Sequence, residues 1–265
     1  MKYTVLTLFP EITDAFFAAS IMAKAINRGI IEYRAINIRD FALDKHKTCD
    51  DAPYGGGPGM LMLPEPLGRA LEAAGAARGK NPQARQASGP RVIYLSPSGR
   101  PFNQALAREL SAEPELVLLC GRYEGIDQRI IDLYVDDEIS IGDYITSSGE
   151  AAALVIIDAT YRLVDQVITA ESLEEESFSD GLLEYPQYTR PEVYDTIRAP
   201  EILLSGHHEN IRRWRLEKRV EKTLRLRPDL IRRGRELRLF SGETNDIIDR
   251  QVSAEAEGDI KDERN

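Results

Sequence analysis

Cysteine is nearly absent from this chain: there are two in 265 residues, Cys49 in a polar loop and Cys120 inside an apolar run. No pair of cysteines or histidines has ligand spacing, which argues against a disulfide framework and a zinc site, and the plain reading is free thiols in a reducing compartment. His46, His207 and His208 are the three histidines. No apolar run nears the ~20 residues a membrane helix needs, and the N-terminus MKYTVLTLFP has no long apolar segment with a small-residue cleavage site. A GxSxG elbow, an HExxH segment and a GK[ST] phosphate loop are also missing, which removes the common hydrolase and P-loop mechanisms. The expectation is a soluble, cytoplasmic protein with no membrane partner and no metal ligand set.

What is present is a core-forming share of apolar residues, 42%, and a charge of −10 that is unevenly spread. Between Arg212 and Arg238 there are twelve Lys or Arg against four Asp or Glu, net +8, leaving −18 for everything else. A basic patch of this kind binds a phosphate backbone even on an acidic protein. Trp214 sits among its cations, in IRRWRLEKR; a helix packing its tryptophan and solvating its arginines would read the same, and the regional charge tips the reading toward nucleic acid.

The pattern along the first 160 residues alternates strands with helices. Tyr3 to Phe9, Ile31 to Ile38, Arg91 to Leu95, Leu116 to Cys120 and Asp137 to Ile141 read as strands. Glu11 to Ala19, Ile21 to Arg28, Glu65 to Ala77, Asn103 to Leu110 and the run AALVIIDATYR ending at Arg162 read as helices. That alternation predicts a parallel α/β architecture. SPSGRPF reads as a turn, and Gly79 to Pro90 as a polar link. From Thr169 to Tyr188 the chain turns acidic and loses its apolar pattern, which marks an interdomain linker at 169–188 after a domain at 1–168. EILLSG then reads as a strand, a basic helix follows within a domain at 189–245, and 246–265 reads as a frayed acidic tail.

Two strands stop at glycine turns, Leu116 to Cys120 at Gly121 and Asp137 to Ile141 at Gly142, which predicts one shared ligand site beyond their carboxyl ends. The stretch GGGPG, Gly55 to Gly59, lacks the preceding strand and following helix of a dinucleotide fingerprint. It is either a tight-turning loop or a backbone surface for a flat base or phosphate. Asp50 and Asp51, adjacent in a polar loop, read as solvated carboxylates more readily than as a magnesium site.

YGGGPGM (54–60), YLSPSGR (94–100), LLCGRYEGID (118–127), SIGDY (140–144), YPQYTRPEV (185–193) and SGHHENIRRWR (205–215) together resemble the bacterial tRNA (guanine-N1)-methyltransferase family, in order and spacing from Met1 to roughly Leu239. The resemblance implies a SPOUT-type fold: a parallel α/β domain with a deep trefoil knot, followed by a small helical domain, in a homodimer. It implies methyl transfer from S-adenosylmethionine to N1 of the guanosine 3′ to the anticodon. The cofactor would be held at Tyr94, Leu95, Ser96, Gly121, Glu124, Ile141, Gly142, Asp143, Tyr144, Ile145, Thr146 and Gly149. Arg162 would stabilise charge on guanine O6 and Glu176, standing where the family has aspartate, would be the base. His46, Asp50 and Gly59 would lie near the target base, and Arg212, Arg213 and Arg215 along the anticodon stem-loop of the tRNA. Magnesium is an implied extra without assigned ligands.

Two departures accompany the match. Glutamate in place of aspartate moves the carboxylate by one methylene, and Ser148 with Ala152 replace a glycine and a proline, so a positive φ at Ser148 would carry strain. These departures motivate the alternative reading, a relative that binds RNA and cofactor with weakened transfer.

Overall fold

The computed structural model describes residues 1–79, 89–169 and 175–262, and the chain divides into two compact units, Met1–Thr169 and Ala170–Asn265. Each is described by itself. Among the residues expected to form the polar link and the linker, 80–88 and 170–174 lie outside the described residues, as does the end of the tail, 263–265.

The first unit is built on five parallel strands, β1 (Lys2–Thr7), β2 (Glu32–Asn37), β5 (Arg91–Pro101), β6 (Glu115–Leu119) and β7 (Asp137–Ser140), in the order β2-β1-β6-β5-β7. The two-residue strands β3 (Asp50–Asp51) and β4 (Leu61–Met62) pair antiparallel, bracketing the glycine-rich loop. Helices α1 (Pro10–Phe17), α2 (Ser20–Asn27), α3 (Pro64–Ala73), α4 (Gln104–Ser111), α5 (Gln128–Tyr134) and α6 (Gly149–Tyr161) connect them.

Strand residues alternate between faces. Val117 and Leu119 of β6 pack with Met62, Leu67, Leu71 and Ile130 from β4, α3 and α5 on one side. Leu116, Leu118 and Cys120 pack with Phe17, Met22, Leu106, Ala153 and Ile156 from α1, α2, α4 and α6 on the other. Burial on both faces is why β1 and β6 read as continuous apolar runs rather than as alternating ones. Helix α1 starts at a proline, whose preset φ suits a first turn, and α4 at Asn103, whose side chain accepts from Leu106 N at 3.0 Å.

The expected turn SPSGRPF is instead part of β5. The strand pairs with β7 up to Leu95↔Ile139 and again from Arg100↔Ile139, so residues between bulge out of the ladder. The signal was obscured because the bulged half is exposed and carries no apolar run. At the start of β5, buried Arg91 bonds Asp137 at 2.6 Å, Glu109 at 2.6 Å and Glu113 at 3.1 Å, tying the strand to β7 and α4.

The second unit contains the hairpin β8 (Val193–Tyr194) and β9 (Ile197–Arg198), then α7 (Glu201–Leu204), α8 (His208–Leu226), α9 (Pro228–Glu236) and α10 (Gly242–Asp262). EILL, expected as a strand, is the short helix α7. Residues 246–262, expected as a frayed tail, continue α10, because Ile247 and Ile248 are buried with Leu182, Val220 and Ile231 and anchor an otherwise acidic helix. From residue 175 the interval expected as a linker is irregular yet fastened to α8. Arg219, 6% exposed, forms a forked ion pair with Asp180 at 2.9 and 2.5 Å, and Leu183 N donates to Thr223 Oγ1 at 2.9 Å. Among the described residues no helix is long and apolar enough to cross a membrane.

Candidate active site

A cleft opens in the first unit at the carboxyl ends of β5, β6 and β7, where parallel sheets bind ligands. Tyr94 to Pro97 enter it from β5, and Gly121 to Gly125 from the turn after β6. Ile139 to Gly142 and Tyr144 to Gly149 come from β7 and the loop beyond it, and Ala152 from α6. Of the residues named above for the cofactor, Tyr94, Leu95, Ser96, Gly121, Glu124, Ile141, Gly142, Tyr144, Ile145, Thr146 and Gly149 line this one cleft, whereas Asp143 is not among its lining residues. Asp143 is exposed in a loop that closes on itself: Tyr144 N donates to Gly142 O at 2.9 Å and the Tyr144 hydroxyl to Ile141 O at 3.2 Å.

The turn after β6 is tight. Gly125 N donates to Arg122 O at 3.1 Å, and Tyr123 takes φ of 59°, a left-handed conformation that a tyrosine rarely adopts. Such strain persists where surrounding structure imposes it. Here the glycine-rich loop does so: Glu124 N donates to Met60 O and Met62 N to Gly125 O, both at 3.0 Å. A side chain at Gly59 would put its Cβ 2.3 Å from Glu124 Cγ. The GGGPG stretch is therefore packed against the cleft's edge rather than standing alone. Asp50 is also at this edge, since burial first and then the Asp50 carboxylate push the Tyr123 phenol up. His46 lies in an exposed turn where its N–H donates to Asp44 Oδ2 at 2.9 Å.

Gly149 opens α6 against β6. Its N–H donates to Gly121 O at 2.9 Å, and a Cβ there would be 2.8 Å from both Cys120 Cα and Gly121 N. Ser148, the residue before it, has φ of −166°. That is extended backbone open to any residue, so the strain expected for a positive φ at this position does not arise. Burial pushes the Tyr94 hydroxyl up, which keeps it a neutral hydrogen-bonding group in the cleft.

The remaining named residues lie elsewhere. Arg162 is the C-cap of α6, half-buried, in the first unit. Glu176, also half-buried, belongs to the second, in a turn where Ser179 N donates to its carbonyl at 3.1 Å and Phe178 takes φ of 72°. Arg212 is held by Glu209 and Glu243, which together keep its guanidinium firmly protonated, and Arg213 is 3.3 Å from Glu217. Arg215 lies 3.5 Å from Glu175 and 4.6 Å from the centre of the Tyr185 ring. Ion pairs on solvent-exposed side chains are weak, so a phosphate can replace their carboxylates.

The polar cluster Arg122, Tyr123 and Glu124 after Gly121, which the sequence sets at the edge of a pocket, lines the cleft; Pro97, Gly125, Ile139, Ser140, Ser147 and Ala152, which sequence reasoning did not assign, line it too. The bulge that brings in Pro97 carries no apolar run to announce it.

A family model described as tRNA (Guanine-1)-methyltransferase TrmD matches residues 1–233. A protein of Treponema denticola named tRNA (guanine-N(1)-)-methyltransferase is 62% identical over 248 residues, covering 94% of this chain and 98% of the relative. Proteins of the same name from Treponema pallidum and Borrelia duttonii are 55% and 54% identical, over 94% and 95% of this chain and 95% and 100% of theirs. With a family model matched across most of its length and relatives this similar end to end, the chain belongs to the tRNA (guanine-1)-methyltransferase family.

Proposed function

We propose that this protein methylates N1 of a tRNA guanine, that the guanine is the one 3′ to the anticodon, and that S-adenosylmethionine, bound in the cleft at the ends of β5, β6 and β7, is the donor. The observation that carries the reading is the cleft itself, in a chain of this family. Its lining includes Gly121, Gly125, Gly142 and Gly149 together with apolar Leu95, Ile139 and Ala152, a fit for a flat adenine. Among the described residues its lining carries one cation, Arg122, and one carboxylate, Glu124, a fit for a zwitterionic methionine tail. When bound, the cofactor supplies an electrophilic methyl group on a sulfonium.

The chain's residues have two tasks. Guanine N1 carries a proton and is a poor nucleophile until that proton leaves, so Glu176 accepts it. Negative charge then accumulates on O6, and the Arg162 guanidinium stabilises it. The cleft residues named above would hold the donor, which would supply its methyl to the deprotonated N1 with S-adenosylhomocysteine as the by-product. His46, Asp50 and Gly59 lie beside the target base, and Arg212, Arg213 and Arg215 take phosphates of the anticodon stem-loop. We further propose a homodimer that shares each site between subunits, action in the cytoplasm, and a deep trefoil knot. The return of the chain from β7 at the sheet edge to the Gly149–Gly121 contact at the end of β6 supports the knot. Among the described residues no three His, Cys, Asp or Glu converge as a metal site, and no residue is assigned to magnesium.

Of the two departures that motivate a weakened relative, the extended φ of Ser148 removes one. The test is transfer of labelled methyl from S-adenosylmethionine to two tRNA transcripts, with G or A after the anticodon. Label in the G transcript alone is expected; none at saturating cofactor would sink the enzyme reading, and tRNA binding without transfer would favour the weakened relative.

A further inference from the structure

The turn that carries Glu176 is folded on itself and fastened along one stripe of α8. Within it, Ser179 N donates to Glu176 O at 3.1 Å, Phe178 N to Leu182 O at 2.8 Å, Glu184 N to Ser177 Oγ at 3.0 Å and Leu182 N to Asp180 Oδ1 at 3.2 Å. Side chains of α8 hold it from outside. Arg215 lies 3.5 Å from Glu175 and its guanidinium 4.6 Å from the centre of the Tyr185 ring. The Arg219 fork takes Asp180 while its Nε donates to Leu183 O at 3.3 Å. Lys222 Nζ donates to Glu184 O at 3.0 Å, and Thr223 Oγ1 accepts from Leu183 N at 2.9 Å. Positions 215, 219, 222 and 223 recur at helical spacing, so they share one face of α8.

Arg219 is the centre of this face. It is buried, and Nε, Nη1 and Nη2 all have acceptors in the turn. A planar guanidinium that meets a carboxylate with two parallel bonds holds it in one geometry, which an ammonium group would not do. At the foot of the turn Gly181 takes φ of 92°, and a Cβ there would come 3.3 Å from both Leu239 Cδ1 and Phe240 Cε1. A segment that only joined two units would need none of these fastenings, because chain between domains ordinarily makes few contacts. They end on the residues that flank Glu176, and nothing above gives them a task.

We propose that Arg219, acting through Asp180 and Leu183, is a positioning residue for methyl transfer: it fixes the Glu176-bearing turn on α8 before RNA arrives, so that the base travels with the helix that grips the anticodon stem-loop. This rests on the reading of Glu176 as the base. The same helix carries Arg212, Arg213 and Arg215, to which the phosphates were assigned, so docking of the RNA and delivery of the base become one event. A loose turn would have to be ordered at each encounter, against its conformational entropy, and a base displaced by about 1 Å loses on the order of a hundredfold in rate.

Single-turnover methyl transfer at saturating tRNA and S-adenosylmethionine, set beside tRNA affinity, tests the proposal. Arg219→Gln is expected to slow transfer by about tenfold or more while tRNA and S-adenosylhomocysteine affinities change less than about threefold. Arg219→Lys, which keeps the charge and loses the fork, should recover part of the rate. Thr223→Val, which removes the acceptor of Leu183 N with little change of shape, should slow transfer with the affinities again preserved. Full rates in both Arg219→Gln and Thr223→Val overturn the proposal, as does a loss of rate matched by an equal loss of tRNA affinity, which a merely structural role would give. Glu176→Gln separates the two readings: full activity there removes the base and the proposal with it, whereas slow transfer there beside full rates in the other variants refutes the positioning role alone. Should the variants not fold, hydrogen exchange of the unaltered protein without tRNA decides. The Phe178 and Leu183 amides must exchange about a hundredfold or more slower than in an unfolded chain, and unprotected exchange refutes a turn fixed before RNA binds.

Discussion

Cys49 and Cys120 are both buried, and burial pushes both thiols up, Cys120 strongly and with a further push from the Glu150 carboxylate. A raised thiol pKa means that the unfolded chain releases the proton first. Stability from this source is whole below the unfolded thiol value of about 8.5 and falls above it, by up to about 1.4 kcal/mol per pH unit per thiol. Urea unfolding between pH 7.5 and 10 should show that decline, with a shallower slope in Cys120→Ala; an unchanged slope would contradict it. Native protein at pH 8 should leave both thiols unreacted toward a disulfide reagent until urea exposes them. At Arg162 and Glu176 the expectations are kinetic. Arg162→Ala should abolish methyl transfer while cofactor affinity changes little, and loss of both would make the arginine structural. Glu176→Asp should retain or raise the rate, whereas full activity in Glu176→Gln would remove it as the base. The roles proposed for Arg162 and Glu176 rest on the resemblance to the family and not on spacing. The Glu150–Arg122 ion pair was not legible in the sequence, since only packing reveals that a glutamate following Gly149 is buried.

Among the elements, α6 is the one that closes the cleft from below. Alanine is a better helix former than glycine by roughly 1 kcal/mol, so propensity alone would favour Gly149→Ala. The 2.8 Å approach to Cys120 Cα and Gly121 N predicts the opposite. We expect a loss of about 1 to 3 kcal/mol, together with weaker S-adenosylhomocysteine binding, read by thermal unfolding and titration; a stabilised variant would show that the backbone there yields. Elements with buried runs, β1, β6 and β7, could be read from the sequence, as could α6. Those formed by tertiary contact could not. The pairs β3–β4 and β8–β9 are two residues long and have no periodicity, the second half of β5 is exposed, and α10 hides two isoleucines in an acidic setting. The carboxyl ends of β6 and β7 were nevertheless visible through the glycines that stop them, whereas Tyr94, Leu95 and Ser96 at the end of β5 came from the resemblance to the family.

At the scale of the whole molecule, charge is partitioned. The interval containing α8 and α9 carries +8 within a chain of −10, and it belongs to the second unit, while the cleft belongs to the first. Arg225, Arg232, Arg233 and Arg238 of that interval are exposed in addition to Arg212 and Arg213. Binding through several phosphates makes log K fall with log salt by roughly 0.7 to 0.9 per contact, so a slope of about −3 or steeper is expected for tRNA. Arg212→Ala with Arg213→Ala should flatten it and leave S-adenosylhomocysteine affinity unchanged. A salt-independent affinity would contradict backbone recognition by this surface. The charge partition was legible from counting; the ion pairs of Arg212 with Glu243 and of Arg215 with Glu175 were not, because those carboxylates lie far off in sequence.

The glycines that line the cleft, Gly121 and Gly149 among them, bear on inhibition. A compound that reads backbone groups at the ends of β5, β6 and β7 offers a resistant variant few side chains to remove. Adding one is obstructed too: a Cβ would come within 3.0 Å of Tyr94 at Gly121, and within 2.8 Å of Cys120 and Gly121 backbone at Gly149. Escape from such a compound would have to come through the exposed lip formed by Tyr144 and Ile145, so chemical matter that leaves this lip untouched should meet the fewest escape routes.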